Sequence, residues 1–196
     1  ELKIITGYED GTFRPDESLT RAEFTAIITR ALSLQKEVEA AEGDQNFTDI
    51  EAGYWAASYI NVALDKKIIS GYGDGRFGPN DPVTYEQAAK MIVQALGYAN
   101  QAQKKGPYPW GGLLIAAEHG ITKQARGVVG EPASRGLIAK MLYNALNVSF
   151  ANEDRTLGET LMGARYYLSP LGNDDGPGTE KQPWKTLKKG AAALRP

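Results

Sequence analysis

The residue types that carry most enzyme chemistry are thin in this chain. Its 196 residues include one histidine, His119, and no cysteine. Thiolate nucleophiles, thiolate metal sites and disulfides are therefore excluded. His119 falls at the end of a helical pattern, where compensation of the helix dipole is a better role for it than catalysis. No Gly-x-Ser-x-Gly elbow surrounds a serine, and no Gly-x-x-x-x-Gly-Lys-Ser/Thr loop is present to cradle phosphates. The 24 Asp and Glu residues leave paired-carboxylate glycoside hydrolysis open in principle, but no local pattern places such a pair. Asp10 and Asp74 each precede a glycine and read as turn formers, because the spacing of a calcium loop is missing. The formal net charge of −2 gives no global field toward nucleic acid or an anionic membrane. No apolar run approaches the ~20 residues needed to cross a bilayer. No cofactor and no metal site is expected.

The elements that would position a site come as repeats. Residues 4–32 align without a gap on 68–96: Gly7 with Gly71, Gly11 with Gly75, Pro15 with Pro79 and Thr20 with Thr84, at a constant offset (84 − 20 = 64). The complete unit, residues 47–98, reads helix, short extended piece, tight turn, loop, helix. Trp55, Tyr59, Ile60, Ala63 and Leu64 recur at helical spacing, with Lys66 and Lys67 in the last turn. Asp74-Gly75 marks the turn, and Pro79 and Pro82 hold the loop extended. Thr84 with Gln87 forms a capping box, so a second helix is predicted from about residue 84 with Ala88, Met91, Ile92, Ala95 and Leu96 on one stripe. The first copy, residues 1–34, keeps only its back half: Thr20 and Glu23 form the box, and Phe24, Ile27, Ile28, Ala31 and Leu32 the stripe. The chain thus opens inside a repeat and without an initiator Met, so further sequence is expected before it. Residues 35–46 are polar and acidic and read as a linker. The third copy, 99–150, is worn. Trp110, Leu114 and Ile115 supply its opening helix (108–120), with Gly120 suited to the C-cap. Its loop is two residues shorter (84 − 69 = 15 against 134 − 121 = 13). Its second helix, 134–146, keeps Leu137, Ile138, Met141, Leu142 and Leu146. Residues 151–165 are polar with little pattern and read as a linker.

The combination Ile-Thr-Gly-Tyr-x-Asp-Gly-x-Phe-x-Pro at 5–15, Thr-Arg-Ala-Glu at 20–23, Phe-x-Asp and a Trp-Ala pair within 47–56, and the second Gly-Tyr-x-Asp-Gly-x-Phe-x-Pro at 71–79 resembles the S-layer homology family. The resemblance implies a mainly α fold: three helix-loop-helix repeats, the first truncated here, in a pseudo-threefold bundle with grooves between repeats. It implies an extracellular, non-catalytic module at the bacterial cell wall or S-layer, monomeric and without membrane insertion or nucleic-acid binding. Its partner would be secondary cell-wall polysaccharide linked to peptidoglycan, often carrying an acidic pyruvylated sugar. Carried over by residue, Arg21 in the segment Thr20 to Glu23 is the anion ligand, since a guanidinium stays charged and grips carboxylates bidentately. A helix start also favours anions. Arg21 could instead form an internal salt bridge with Glu23 or Glu17. Trp55, Trp110, Gly71 and Tyr72 would shape the grooves. Tyr85 replaces the arginine in the second copy, where stacking on a sugar remains, and Arg135 keeps the charge in the third. Trp55 is expected in the core first, with stacking as the alternative. Arg14 and Arg76 flank the turns and are expected to be solvated; Arg76 is carried as a groove contact. Asp49 is expected to cap a helix start. An alternative for the whole is a structural, self-associating S-layer scaffold without sugar binding.

The tail, 166–196, changes character. A strand at Tyr166–Leu168 and a helix from about Trp184 to Leu194 are predicted around a turn-rich loop. Tyr167, Ser169, Pro170, Gly172, Asn173, Asp174, Pro177, Gly178, Thr179, Pro183, Trp184, Lys185, Thr186 and Leu187 resemble the opening of right-handed parallel β-helix domains of secreted polysaccharide lyases. That implies the truncated start of such a domain, with the repeats tethering a polysaccharide-degrading lyase or glycoside hydrolase. Asn173, Asp174 and Asp175 read as a turn before a calcium site.

Overall fold

A computed structural model describes residues 5, 7–41, 46–162, 168–176, 181–186 and 188–189. Its described residues form eight helices and no extended strands, with only isolated β-bridges. The chain divides into two units, Glu1–Leu161 and Met162–Pro196.

In the first unit the capping signals set the long helices. Helix α1 (Arg21–Ala31) starts at Thr20, whose hydroxyl accepts from Glu23 N at 3.2 Å while Glu23 accepts from Thr20 N at 2.8 Å. Such caps contribute about 1 kcal/mol each. Helix α4 (Tyr85–Ala95) pairs Thr84 with Gln87 more loosely: the returning bond is 3.4 Å long, and the buried Thr84 Oγ1 finds no hydrogen-bond partner. Helix α7 (Arg135–Ala145) keeps only the forward half, Ser134 Oγ accepting from Leu137 N. Most of each predicted stripe is buried: Phe24, Ile27, Ile28 and Ala31, then Ala88, Met91, Ile92 and Leu96, then Ile138, Met141 and Leu142, while Leu32, Ala95, Leu137 and Leu146 are half-buried. Each fully buried aliphatic of this kind contributes roughly 1.5–3 kcal/mol. The opening helices are α3 (Ala57–Asp65) and α6 (Trp110–Glu118), and α1 packs on α3 as α4 packs on α6. Gly120 does follow the α6 C-cap, at φ +73°.

The loops ahead of α1, α4 and α7 hand their backbones to one another in a closed cycle. Arg21 N donates to Asp81 O at 2.9 Å, Tyr85 N to Glu131 O at 3.0 Å, and Arg135 N to Glu17 O at 2.8 Å. Thus the first free N–H of each helix is satisfied by the loop that leads into the next. Leu19, Val83 and Ala133, each one residue before an N-cap, are buried at the centre of the cycle. Paired bridges accompany it: Thr20 with Pro82, Thr84 with Pro132, and Ser18 with Ser134.

Three short helices lie outside the predicted pattern. Helix α2 (Gln35–Ala40) follows a break at Ser33 (φ +57°) in the stretch read as linker, of which residues 42–45 lie outside the described residues. Helix α5 (Ala99–Lys105) occupies the equivalent place after α4 (99 − 35 = 64). Helix α8 (Leu157–Met162) lies in the stretch read as patternless. Its signal was a capping box, Thr156 with Glu159, closed in both directions at 2.7 and 3.2 Å, and Leu157 is buried behind it.

In the second unit Leu168 and Trp184 form a parallel bridge, and Trp184 is buried, its indole donating to Gly176 O. Trp184 is therefore not the start of a helix; only Lys188 and Lys189 are helical among the described residues beyond it. The predicted Tyr166–Leu168 strand falls mostly outside the described residues, as do Pro177, Gly178, Thr179, Leu187 and Leu194. Asp174 accepts from Lys185 N, Thr186 N and Thr186 Oγ1, and Asn173 Oδ1 accepts from Asp175 N, which is turn chemistry.

Candidate functional site

The start of α1 lies against the Gly-Tyr turn of the second copy, and that contact buries Arg21. Its side chain is only 6% exposed. Nε donates to Phe77 O at 2.8 Å, Nη2 to Ser70 O at 3.0 Å and Nη1 to Gln87 Oε1 at 3.1 Å. The Tyr72 and Phe77 rings lie 4.7 and 4.6 Å from the guanidinium carbon. Gly71 lets the turn close this tightly: a Cβ there would sit 2.6 Å from Arg76 O and from the Phe47 ring. The salt bridges that were the alternative role for Arg21 do not form. Glu23 is turned back onto Thr20, and Glu17 accepts from Tyr8 Oη and pairs with Arg14. Burial lowers the pKa of Arg21, and nearby Tyr72 and Asp81 offset that only in part. Asp81 itself accepts from Tyr72 Oη at 2.9 Å.

The guanidinium forms one wall of a cavity of about 340 Å³, together with Ser70, Tyr72, Gln87, Lys90 and Tyr108. Lys90 reaches in from α4. Its ammonium lies 3.3 Å from Ser70 Oγ and 5.4 Å from the Tyr108 ring centre. Burial pushes its pKa down, and the neighbouring Arg21 charge adds to the effect. Among the described residues neither cation takes part in a salt bridge. Two half-desolvated positive charges with neutral partners raise each other's energy, and an anion between them relieves both.

The same arrangement recurs at α7 with different residues. Arg135 is 6% exposed, donates from Nε to Phe13 O at 3.0 Å, and lies 4.8 and 5.2 Å from the Tyr8 and Phe13 rings. Phe13 and Tyr8 stand 64 residues before Phe77 and Tyr72 (77 − 13 = 64; 72 − 8 = 64). Its cavity is smaller, about 130 Å³, and is lined by Glu23, Ala26, Arg30 and Trp55. Glu23 stands where the first cavity has Gln87, Ala26 where it has Lys90 and Arg30 where it has Gln94, so this cavity shifts its second cation by one helical turn and adds a carboxylate. At the third equivalent position the half-buried Tyr85 lies against Gly127, where a Cβ would come within 2.6 Å of the ring.

Residues 1–25 and 46–89 match the model of the S-layer homology domain. The chain carries an S-layer homology domain. It is 36% identical over 152 residues to a middle cell wall protein of Brevibacillus brevis, covering 78% of this chain and 14% of that protein. It is 34% identical over 155 residues to a surface layer protein of Brevibacillus choshinensis, covering 78% and 13%. It is 35% identical over 108 residues to a cellulosome-anchoring protein of Acetivibrio thermocellus, covering 55% and 22%. The chain thus spans less than a quarter of the length of these relatives. The S-layer homology domain is a non-catalytic module, and its relatives place it outside the cell in association with the wall.

In this S-layer homology domain the two tryptophans Trp55 and Trp110 do not stand where sequence first placed them. Trp55 is 54% exposed at the mouth of the Arg135 cavity, within ring contact of Tyr54 and Tyr59, and is not a core residue. It precedes α3, so the helical periodicity that suggested burial does not apply to it. Trp110, at the first residue of α6, is 57% exposed and lines no part of the Arg21 cavity. The helix ends show why. Lys67 (φ +59°) and Gly120 (φ +73°) close α3 and α6, and Ile68 N and Ile121 N donate back to Ala63 O and Ala116 O. The offset is therefore 53 (120 − 67), which equates Trp55 with Tyr108 and leaves Trp110 two residues on.

Of the predicted site residues, Arg21, Gly71 and Tyr72 line the larger cavity, while Thr20 serves the α1 cap beside it. Glu23, Trp55 and Arg135 gather at the smaller one. Arg76 is exposed, pairs with Asp74 and lies 5.8 Å from the centre of the Tyr72 ring. Arg14 likewise pairs with Asp10. Asp49 caps no helix, since α3 begins eight residues later (57 − 49 = 8). Its carboxylate accepts from Phe77 N at 2.8 Å and Gly78 N at 2.7 Å, and so braces the turn that Arg21 leans on. His119 stacks 4.2 Å from Tyr98 at the α6 C-cap. Sequence reasoning missed Lys90, Gln87, Ser70 and Tyr108. The signal for Lys90 was a lysine interrupting the α4 pattern where the first copy has Ala26. Among the described residues no cluster of His, Asp or Glu could hold a metal, and no helix is long and apolar enough to cross a membrane.

Proposed function

We propose that this domain anchors a secreted protein to the cell wall by binding acidic, pyruvylated secondary cell-wall polysaccharide in the Arg21–Lys90 groove. One observation carries the reading: Arg21 and Lys90 converge on one cavity, partly desolvated, with neutral hydrogen-bond partners and with Tyr72 and Tyr108 as walls. A carboxylate ketal on a sugar supplies the missing negative charge, and the aromatic faces suit the sugar ring. Arg21 takes the carboxylate in its planar fork and Lys90 adds a point charge. The cyclic exchange of loop backbones supports three repeats about a pseudo-threefold axis, in which the Arg135 cavity is a weaker second site and Tyr85 fills the third. The module works as a monomer, and the tail begins a β-helix domain of a polysaccharide-degrading enzyme that the repeats hold at the surface.

The test is co-sedimentation with cell-wall sacculi, with and without their secondary polymer. Wild type pellets only with polymer-bearing sacculi, Lys90→Ala pellets about tenfold less well, and Arg21→Ala stays in solution. Lys90 is the cleaner variant, because Arg21→Ala also strands the carbonyls of Phe77 and Ser70. Wild type that stays in solution with every sacculus preparation sinks the anchoring reading. The filled position at Tyr85 then favours a self-associating scaffold, measured as a concentration-dependent mass in analytical ultracentrifugation.

A further inference from the structure

Arg14 and Arg76 stand at the two Asp-Gly turns and line neither of the arginine cavities. Each closes instead on the aspartate of its own turn. Asp74 Oδ1 accepts from Arg76 N at 3.0 Å, and Oδ2 accepts from Arg76 Nε at 2.9 Å and Nη2 at 2.8 Å. Asp10 Oδ1 accepts from Thr12 N at 2.9 Å and Thr12 Oγ1 at 2.6 Å, and Oδ2 accepts from Arg14 Nη2 at 2.8 Å. Both oxygens of both carboxylates are thus occupied. The arginine comes from a different place in each copy, two residues after the aspartate at Arg76 (76 − 74 = 2) and four after it at Arg14 (14 − 10 = 4). The positions equivalent to these arginines hold Thr12 and Gly78 (76 − 64 = 12; 14 + 64 = 78). What the two copies share is therefore the held carboxylate, and not one particular arginine. The third loop carries no Asp-Gly pair, and its arginine, Arg126, makes no salt bridge among the described residues. Exposed ion pairs add little to stability, so stability is a weak reason for building the clamp twice.

We propose that Asp74-Gly75 and Asp10-Gly11 are latent sites of isoaspartate formation, and that Arg76 and Arg14 are the residues that hold them unreacted. Glycine has no side chain to block attack by its own amide nitrogen on the carboxyl group before it. In that reaction Gly75 N forms a bond to Asp74 Cγ, and the hydroxyl of the protonated carboxyl leaves with the amide proton as water. Water then opens the cyclic imide at the former main-chain carbonyl of Asp74. The chain now runs through Cβ and Cγ, one atom longer, and nothing but water is exchanged. An ionised carboxylate resists the attack, because it has no hydroxyl to release. The hydrogen bonds favour that ionised form. Arg76, through its side chain and then its main chain, holds the Asp74 carboxyl below the usual range, while Thr12 and then Arg14 bring Asp10 down to about 2. The two turns differ in the nucleophile. Gly11 N donates to Tyr8 O at 2.9 Å, whereas Gly75 N makes no backbone hydrogen bond among the described residues. Asp74 therefore depends on its arginine more than Asp10 does. The turns also carry the cavity walls. Tyr72 N donates to Arg76 O and Tyr8 N to Thr12 O, so a main chain lengthened in between shifts the rings that lie over Arg21 and Arg135.

The experiment ages the full chain at neutral pH and physiological temperature and maps isoaspartate at each aspartate by peptide mass spectrometry. Its outcome does not depend on sugar binding. Arg76→Ala forms isoaspartate at Asp74 about tenfold faster than wild type, because a larger fraction of the carboxyl is protonated, and Asp10 keeps its wild-type rate. Arg14→Ala speeds Asp10 by a smaller factor, since Thr12 still holds Oδ1 and Tyr8 O still holds Gly11 N. Thr48→Ala is the control for a turn loosened with its carboxylate still held, because Thr48 Oγ1 donates to Gly75 O at 3.2 Å. It isomerises at the wild-type rate. An Arg76→Ala rate at Asp74 equal to that of wild type overturns the proposal. So does a Thr48→Ala rate that rises as far as that of Arg76→Ala, which would make turn rigidity the guard. A matching rise at Asp10 in Arg76→Ala overturns it as well, since that would report a general loosening of the fold.

Discussion

Lys90 is held as a cation in a place that disfavours cations. Burial and the Arg21 charge lower its pKa from the ordinary value of about 10.5. The unfolded chain therefore binds the proton more tightly than the folded one. Stability rises with pH in the window between the lowered folded pKa and the unfolded value, and below that window the cost of the buried charge is fully present. Ligand binding has the opposite dependence. A carboxylate in the groove restores the Lys90 pKa, so affinity for an acidic fragment is flat near neutrality and falls as pH rises through the free protein's lowered pKa. Lys90→Arg removes that fall, since arginine does not titrate there. Titration of an acidic wall-polymer fragment from roughly pH 7 to pH 10 checks this; a wild-type profile as flat as that of Lys90→Arg would mean that Lys90 does not face the anion. Arg21 was legible as a site residue through the family resemblance that the Thr-Arg-Ala-Glu segment carries, since the second copy has Tyr85 in its place. Lys90 was not, because its neighbours Ala88, Ala89, Met91 and Ile92 spell a buried stripe, and only the fold shows that a long side chain leaves it toward the groove.

At the scale of elements, what sequence reads well is what neighbours in the chain decide. The helices α1, α4 and α7 follow from caps and stripes and were placed within a residue or two. What it reads poorly depends on which segments meet. Asp49 looks like a cap, yet its two acceptor bonds go to the turn at Phe77 and Gly78, 28 and 29 residues away. The shortened third loop is a similar case. In the other two seams the second residue of the helix donates to a proline carbonyl, Ala22 N to Pro79 O and Gly136 N to Pro15 O. The third loop lacks that proline, and the buried Glu86 carboxylate accepts from Gly130 N at 2.9 Å instead. The room left by the shortening is taken by Tyr85 against Gly127. Gly127 lies outside the left-handed region, so the obstacle to a side chain there is Tyr85, its ring at 2.6 Å and its Cβ at 2.9 Å. Gly127→Ala is expected to destabilise by about 1–3 kcal/mol through overpacking. Combined with Tyr85→Gly, which removes both the ring and the Cβ, the same substitution should cost much less, a coupling of order 1 kcal/mol in a double-mutant cycle read by urea denaturation. Additive costs would place the Tyr85 ring elsewhere.

At the scale of the whole first unit, the loop ring has a consequence that local rules do not predict. Each of α1, α4 and α7 rests its first N–H on the loop that starts the next, and the seam from α7 returns to the beginning of the chain, Arg135 and Glu17 being 118 positions apart (135 − 17 = 118). Gly136 sits in that seam. A Cβ on it would come 3.1 Å from Pro15 Cβ and 3.2 Å from Pro15 O. Helix propensity alone says that replacing a glycine in α7 helps, by up to about 1 kcal/mol. Ala22, the counterpart of Gly136 in α1, is fully buried in its own seam, so one methyl group is tolerated in this geometry. Gly136→Ala should therefore be near neutral. Gly136→Leu has nearly the same propensity but drives its branch into Pro15, and about 1–3 kcal/mol of destabilisation is expected despite the propensity gain. For a protein of this size that lowers Tm by roughly 3–10 °C. Hydrogen exchange then separates a ring from three independent contacts. With the α7 seam pried open, the first turn of α7 loses protection most. The start of α4 follows, because its anchor at Glu131 belongs to the loop that leads into α7. The start of α1, anchored on Asp81 two steps further round, changes least. Protection lost from α7 alone would mean that the seams act independently. A stabilising Gly136→Leu would mean that Pro15 does not close the ring at all.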